Sequence, residues 1–244
     1  MQKKLDLRKE LSYLYIRGDG IEIGPTFLPV PLKKGVKVTY VDIMTTADLI
    51  KLYPEVKKNN PVKVDVVDDG ERLTKFENES ADFIIANHFI EHAVNPIQTM
   101  VNFLRVLRTN GIIFLGVPDM RVTFDKDRPL TDPNHLVKVF KRGNDPFVRD
   151  HYYECVRLIE KRPEVEVESR VQELINAKFS IHYHTYVLAS FLELIKYMRK
   201  RNFPIEIVTT RDLQEESDEF VVILRKTDPL KRSLVDFVRA KLGV

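Results

Sequence analysis

ADFIIANHFIEHAVNP, residues 81 to 96, decides how the chain is read. It opens with Ala81 to Asn87, an apolar run of strand length, and closes with Asn95-Pro96, a helix cap followed by proline at the first helical position. Between them stands His88-Phe89-Ile90-Glu91-His92, an H-x-x-E-H spacing. On a helix that spacing sets two histidines one turn apart, where they hold a zinc ion while the glutamate activates water. The preceding strand argues otherwise. Asn87 and His88 fall at its carboxyl end and helical geometry begins no earlier than Phe89, so His88 and His92 are not i, i+4 neighbours on a regular helix. HFIEH then reads as a loop over a pocket, because open α/β sheets bind ligands at the carboxyl ends of their parallel strands.

Working outward, short apolar runs alternate with helical patterns: GIEIG (20–24), VKVTYVDI (36–43), VKVDVV (62–67), ADFIIAN (81–87) and GIIFLGV (111–117). That alternation predicts a parallel sheet with crossover helices. Asn95-Pro96 begins a helix with Ile97, Met100, Val101, Leu104 and Leu107 at core-facing spacing, ending at Asn110-Gly111, and residues 45–56 form a weaker one. After Val117 comes an insertion, 118–180, with helices over about 146–161 and 164–178 and a KRGNDPF turn; it reads as a substrate lid or wall. TYVLASFLELIKYMRKR (185–201) is an amphipathic helix, and FPIEIVTT (203–210) and EFVVILRK (219–226), with no helix between them, pair as an antiparallel hairpin. A short helix is expected from Pro229. Residues 1–244 are expected to form one domain.

Bulk composition narrows the function. With 39 Lys+Arg against 36 Asp+Glu the net charge is only +3 and is not gathered into a stripe, so nucleic acid is not an expected partner. The longest apolar stretch, Tyr186 to Ile195, is broken by Ser190 and Glu193, so no integral membrane segment is expected. The single cysteine, Cys155, excludes an internal disulfide framework and a multi-cysteine zinc site. A cytoplasmic protein acting on a small molecule or a neutral polymer is the expectation.

The 81–96 stretch, followed by LRTNGIIFLGVPD (107–119), resembles the fourth-to-fifth-strand region of class I S-adenosylmethionine-dependent methyltransferases. IEIGP (21–25) resembles the first motif of that family. GIEIGPTFLPVPLKKG (20–35), VPDMRVTFDKDRPLT (117–131), DHYYECVRL (150–158) and HYHTYVLASFLELI (182–195) are similar to a subgroup with an E-I-G-P first motif, found with glycosyltransferases of bacterial surface-polysaccharide assembly. The resemblance spans residues 18 to about 226. It implies a Rossmann-like seven-stranded α/β sheet, five parallel strands plus a C-terminal antiparallel hairpin, and S-adenosyl-L-methionine as cofactor. It also implies cofactor contacts from Glu22, Gly24 and Pro25 after the first strand, Asp42 and Ile43 after the second, Asp68 and Asp69 after the third, and Asn87, His88 and His92 after the fourth. The Asp42 carboxylate can take both ribose hydroxyls. The usual glycine-rich first loop is reduced to Gly24, which motivates an alternative: a catalytically degenerate cofactor-binding module serving as a partner in polysaccharide assembly.

Methyl transfer to a hydroxyl needs alignment and a base. Five of six histidines (His88, His92, His135, His182 and His184) fall near strand ends or in the insertion. The expected order for the catalytic base is His135, Asp119, His88. Asp119 and Asp125 could instead position a sugar hydroxyl or a divalent ion; no residue set is assigned to a metal, and a metal requirement and a homodimer stay open. His182 and His184 could be no more than a helix entry capped by Thr185. The most direct expectation is O-methylation of a sugar or glycan intermediate.

Overall fold

The computed structural model describes residues 2–53, 57–142 and 148–228. Its framework is a seven-stranded sheet built from β1 (Asp19–Ile23), β2 (Lys37–Asp42), β3 (Val66–Val67), β4 (Ala81–Ala86), β5 (Leu107–Pro118), β6 (Ile205–Arg211) and β7 (Glu219–Lys226), in the order β3-β2-β1-β4-β5-β7-β6. The first five strands are parallel to their neighbours; β7 runs antiparallel between β5 and β6. The five expected parallel strands and the closing hairpin are therefore present. The third strand is far shorter than 62–67: only Val66 and Val67 pair, with Val41 and Asp42.

Strand order reverses between β1 and β4. Connections leaving those two carboxyl ends turn away in opposite directions, which opens a crevice there. Apolar side chains cover both faces of the central strands, as a parallel sheet requires. One face packs Ile84, Ile113 and Leu115 against α3 (Pro96–Val106), the other Phe83, Ile85 and Phe114 against Leu11 and Ile16. The expected Asn95 cap is made: its side chain accepts from the Gln98 amide at 3.1 Å, with Pro96 at the first position. The buried stripe uses Phe103 where Val101 was expected, and the helix stops at Val106 rather than Asn110, because Leu107 already pairs with Ala81 in the sheet.

Helix α1 (Gln2–Tyr15) had no signal in the periodicity read above, although its buried Leu11 helps cap the second core. The predicted 45–56 helix is α2 (Thr46–Leu52), with residues 54–56 outside the described set. The insertion contains α4 (Pro133–Arg142), α5 (Val148–Glu154), which continues as a wide turn through Ile159, and α6 (Glu164–Asn176). Helix α4 was not expected, and most of the KRGNDPF turn falls among the undescribed residues. This segment has a small core of its own, in which Tyr152, Val156, Val167, Val171, Leu174 and Ile181 pack together. Helix α7 (Leu188–Lys200) returns the chain to the sheet. Thr185 does not cap it; its hydroxyl donates to the Pro129 carbonyl at 2.7 Å and its amide to the Thr131 hydroxyl at 2.9 Å. The tail from Pro229 lies outside the described residues. No described helix is long and apolar enough to cross a membrane.

A buried ion pair ties α1 to β7. Arg8 Nε and Nη2 donate to Glu219 Oε1 and Oε2 at 2.8 and 2.5 Å, with both residues almost wholly buried. Burial alone would raise the Glu219 carboxyl, but hydrogen bonds from His88 and Arg8, with the Arg8 and Lys4 charges, hold it down at about 2. Breaking such a pair strands an uncompensated buried charge. Arg8→Met is expected to cost about 3–5 kcal/mol in urea unfolding, with most of the loss recovered in Arg8→Met/Glu219→Leu. Because the folded value lies below the ordinary carboxylate value, the contribution of Glu219 is complete above about pH 4.5 and fades as pH falls towards 2. A wild-type profile flat across that window in comparison with Glu219→Gln would contradict the assignment.

Candidate active site at the strand carboxyl ends

The crevice at the β1/β4 reversal is lined by Glu22, Ile23, Gly24 and Pro25 from the first strand end, Asn87 and His88 from the fourth, and Lys4, Arg8 and Asp218 from across it, around a hollow of about 270 Å³. A larger hollow, about 570 Å³, lies at the opposite, amino-terminal ends of the strands, lined by Gly18, Asp82 and Gly111 among others. Ligand chemistry belongs at the carboxyl ends, where backbone amides and loop side chains converge.

Glu22 is the last residue but one of β1 and is buried. Its Oε1 accepts from the Val30 amide at 2.9 Å, which folds the proline-rich loop back over the strand, while its Oε2 is buried without a partner. Burial pushes its carboxyl up to about 8, against the Val30 hydrogen bond and the Arg8 charge, which lower it. Gly24 has φ +61, a conformation costly for a side chain, and open space where its Cβ would point. One glycine thus provides what the absent glycine-rich loop would have supplied: bare backbone facing the crevice. Asn87 uses Oδ1 to accept from the Gly116 amide at 2.7 Å, and its buried Nδ2 has no partner. A partnerless carboxyl oxygen on β1 and a partnerless amide nitrogen on β4, with exposed backbone between them, fit a polar ligand carrying both a cation and acceptor atoms, as S-adenosylmethionine does.

Asp42 ends β2, partly buried; burial raises its carboxyl while the Ile43 and Met44 amides lower it. Ile43 beside it is 62% exposed, an apolar surface open to a flat ring. Asp68 is placed differently from expectation. Its oxygens accept from the Asp69 amide, the Thr74 hydroxyl and the Lys75 amide at 2.8–2.9 Å, so its carboxylate shapes its own loop. Asp69 accepts from the Glu71 amide at 2.9 Å.

His88 sits at φ +49, its amide donating to the Gly116 carbonyl at 2.8 Å. Its Nε2 lies 2.8 Å from Lys4 Nζ and 3.0 Å from Glu219 Oε2. Ile90–His92 form a single 3₁₀ turn, so the two histidines of H-x-x-E-H do not share a helix face. His92 turns towards the insertion: Nδ1 is 2.9 Å from the Ile181 carbonyl and 3.1 Å from Ser180 Oγ. Burial, then the neighbouring His182, lowers its ring to about 4.

The other two expected bases are elsewhere. Asp119 is fully buried and its carboxylate takes the Arg121 guanidinium at 2.7–2.8 Å, capping the turn after β5. That pairing occupies both of its carboxylate oxygens. His135 lines a separate hollow of about 260 Å³ with Asp132, Asp150, His151 and Tyr183, where its ring packs against those of His151 and His184. His88 and His135 are thus not brought into one pocket. Sequence reasoning missed Lys4, Arg8, Glu91 and Glu219. Only long-range pairing reveals them, although Glu91 lay within the opening motif.

Residues 22–115 match the family model described as a methyltransferase domain. The match covers 94 of the 244 residues. No curated protein matches the chain by sequence. Among solved structures, one named as a zinc-dependent alcohol dehydrogenase from Rhodobacter sphaeroides is similar at 10% identity, covering 93% of this chain and 91% of its own with a TM-score of 0.55, which shows a shared fold alone. The N-methyltransferase NodS from Bradyrhizobium japonicum (10% identity, 93% and 96% covered, TM-score 0.48) and an S-adenosylmethionine-dependent methyltransferase from Methanosarcina mazei (16%, 88% and 95%, 0.47) are more distant in shape. The family match and the sheet order support an S-adenosylmethionine-dependent methyltransferase on a Rossmann-like fold.

Glu22 holds its proton at pH 7. Since its folded value of about 8 exceeds the ordinary 4.5, the fold binds that proton more tightly than the unfolded chain does, and its contribution to stability declines as pH rises through this window. A cation seated against Oε2 favours the carboxylate and expels the proton. Binding of S-adenosylhomocysteine, which keeps the ammonium, is therefore expected to release a proton near pH 7 and to tighten towards pH 8; calorimetry in buffers of different ionisation enthalpy measures it. Glu22→Gln should abolish the release, and an unchanged release in that variant would separate Glu22 from the cofactor's ammonium.

Proposed function

We propose that this enzyme methylates a hydroxyl of a sugar or glycan intermediate, with cofactor contacts from Glu22, Gly24, Pro25, Asp42, Ile43, Asn87 and His88, and with the 118–180 segment as the wall of the acceptor site. The observation that carries the reading is the polarity of the groups facing one another across the strand-end loops and the insertion. Glu91, His92, Asp125, Arg128 and His182 are clustered there, with Arg128 Nη1 donating to Asp125 Oδ1 at 2.7 Å and His182 Nδ1 2.6 Å from Asp125 Oδ2. Glu91, Asp125 and Arg128 are buried, so they set the polarity behind the wall rather than its surface; a polar surround suits a polyhydroxylated acceptor, whereas an aromatic acceptor calls for apolar lining. The sequence similarity to the E-I-G-P subgroup supports the same acceptor class and a role beside surface-polysaccharide assembly in the cytoplasm.

The cofactor supplies an electrophilic methyl group on a sulfonium. The chain must hold it in line with the acceptor oxygen and take the hydroxyl proton. His88 replaces His135 and Asp119 as the leading base: it stands at the β4 carboxyl end within the cofactor crevice, and its side chain is 31% exposed. Glu219 and Lys4 fix its ring. A position at the end of β2 supports Asp42 as the partner of the ribose hydroxyls.

Two measurements test this. Wild type is expected to bind S-adenosylhomocysteine at micromolar concentration, about −8 kcal/mol, and Asp42→Ala to weaken it by tenfold or more; equal binding would remove Asp42 from the cofactor site. With methyl-accepting glycans, His88→Ala is expected to lower kcat by about 10²-fold or more while S-adenosylhomocysteine affinity changes far less. Wild-type turnover in that variant would place the base elsewhere.

A further inference from the structure

The segment H-x-x-E-H is not a helical zinc motif, yet half of it stands in another metal-like arrangement. Glu91, at 1% exposure, has both carboxylate oxygens buried and without a hydrogen-bond partner. His182 Nε2 lies 3.9 Å from Glu91 Oε1, and one ligand atom each from Glu91, His92 and His182 all fall within 4.8 Å of one another. Two ligands at tetrahedral positions, each about 2.1 Å from an ion, stand about 3.4 Å apart. The group therefore needs only a small inward movement to close on one.

The hydrogen bonds behind these side chains point the same way. A metal-binding histidine uses one ring nitrogen on the ion and commonly donates the other N–H to a carboxylate or a backbone carbonyl, which fixes its tautomer and orientation. His182 has Nδ1 on Asp125 Oδ2 at 2.6 Å, and that carboxylate is itself held by Arg128. His92 has Nδ1 on the Ile181 carbonyl at 2.9 Å. His182 Nε2 is thereby left to Glu91, and the Nε2 of His92 takes no part in those bonds. The rings meet nearly perpendicular, 4.6 Å between centroids, and the ring of Phe124 covers His182 at 4.6 Å.

Two other groups bring three candidate ligands together. His88, Asp218 and Glu219 already carry the Lys4 and Arg8 cations, which compete with a metal. His135, His151 and His184 form an imidazole cluster without a carboxylate in need of a counter-charge.

We propose that Glu91, His92 and His182 bind a divalent transition-metal ion of the zinc, cobalt or iron(II) class, in a two-histidine, one-carboxylate arrangement with further positions open to oxygen donors. The ion supplies the counter-charge that Glu91 lacks. If methyl transfer proceeds as above, those open positions face the acceptor side, where a hydroxyl or carboxylate oxygen could occupy them; only this last clause rests on the proposed function.

The test is cobalt(II) titration of chelator-treated full-length protein, followed by visible absorption, with zinc K-edge absorption fine structure on the zinc-loaded wild type. Wild type is expected to take up one equivalent. Glu91→Gln, which preserves shape, and His182→Ala are expected to weaken uptake by tenfold or more, whereas His135→Ala retains it. The zinc spectrum should show two imidazoles with oxygen ligands, a readout independent of any variant's folding. No uptake by wild type, a three-imidazole spectrum, or uptake lost in His135→Ala and kept in His182→Ala would overturn the proposal. S-adenosylhomocysteine titration of the same samples reports the cofactor site separately, so a failed metal site and a failed methyltransferase reading give different results.

Discussion

The reversal of strand order between β1 and β4 is the constraint on which the rest of the molecule depends. A parallel sheet must send every connection across a face, and where neighbouring strands send theirs to opposite sides nothing covers the strand ends. Glu22, Gly24, Asn87 and His88 become functional candidates because they occupy that gap. The apolar stretches 83–86 of β4 and 112–115 of β5, buried on both sides, hold the gap to a fixed shape. Without that rigid floor, the short loop after β1, which has a single glycine in its first turn, could not keep its backbone turned towards a ligand.

Among the described residues three glutamates are buried around the floor, and they are satisfied to different degrees. Glu219 receives a bidentate guanidinium and a histidine, and stays ionised far into acid. Glu22 has one amide for two oxygens, and Glu91 has no partner within hydrogen-bonding distance; burial lifts both to about 8, with Asp125 and Glu219 adding repulsion at Glu91. Desolvation penalises a charge until something opposite arrives. The paired carboxylate is thus part of the scaffold, locking α1 onto β7, while the two unsatisfied ones lie at the positions where ligand chemistry is expected. The gradient runs from structure to function across a few strand ends.

Legibility followed the range of the interactions. The Asn95-Pro96 cap, the apolar strands and the closing hairpin are local patterns, and each appeared close to where it was read. Boundaries moved where tertiary pairing intervened: Leu107 to Asn110 looked helical but joined β5, and most of 62–67 looked like strand but bonded to loops and to Tyr40 without forming one. In the site, Glu22, Asn87 and His88 were readable because they end predicted strands. Asp68 and Asp119 ended strands as well, yet their carboxylates were taken by neighbouring amides and by Arg121. Position relative to the sheet was visible in advance; what each side chain would face was not.

By itself the sequence determined the sheet class, the order of its parallel strands and hairpin, and the strand ends at which chemistry is possible, because periodicity and turn residues act over a few positions along the chain. The tertiary structure alone decided that α1 brings Arg8 and Lys4 to β7 and His88, and that His182 arrives opposite Glu91 and His92 some ninety residues away in sequence. Such meetings depend on how separately folded segments pack. A residue's charge state and partner are properties of that packing, which no local pattern encodes.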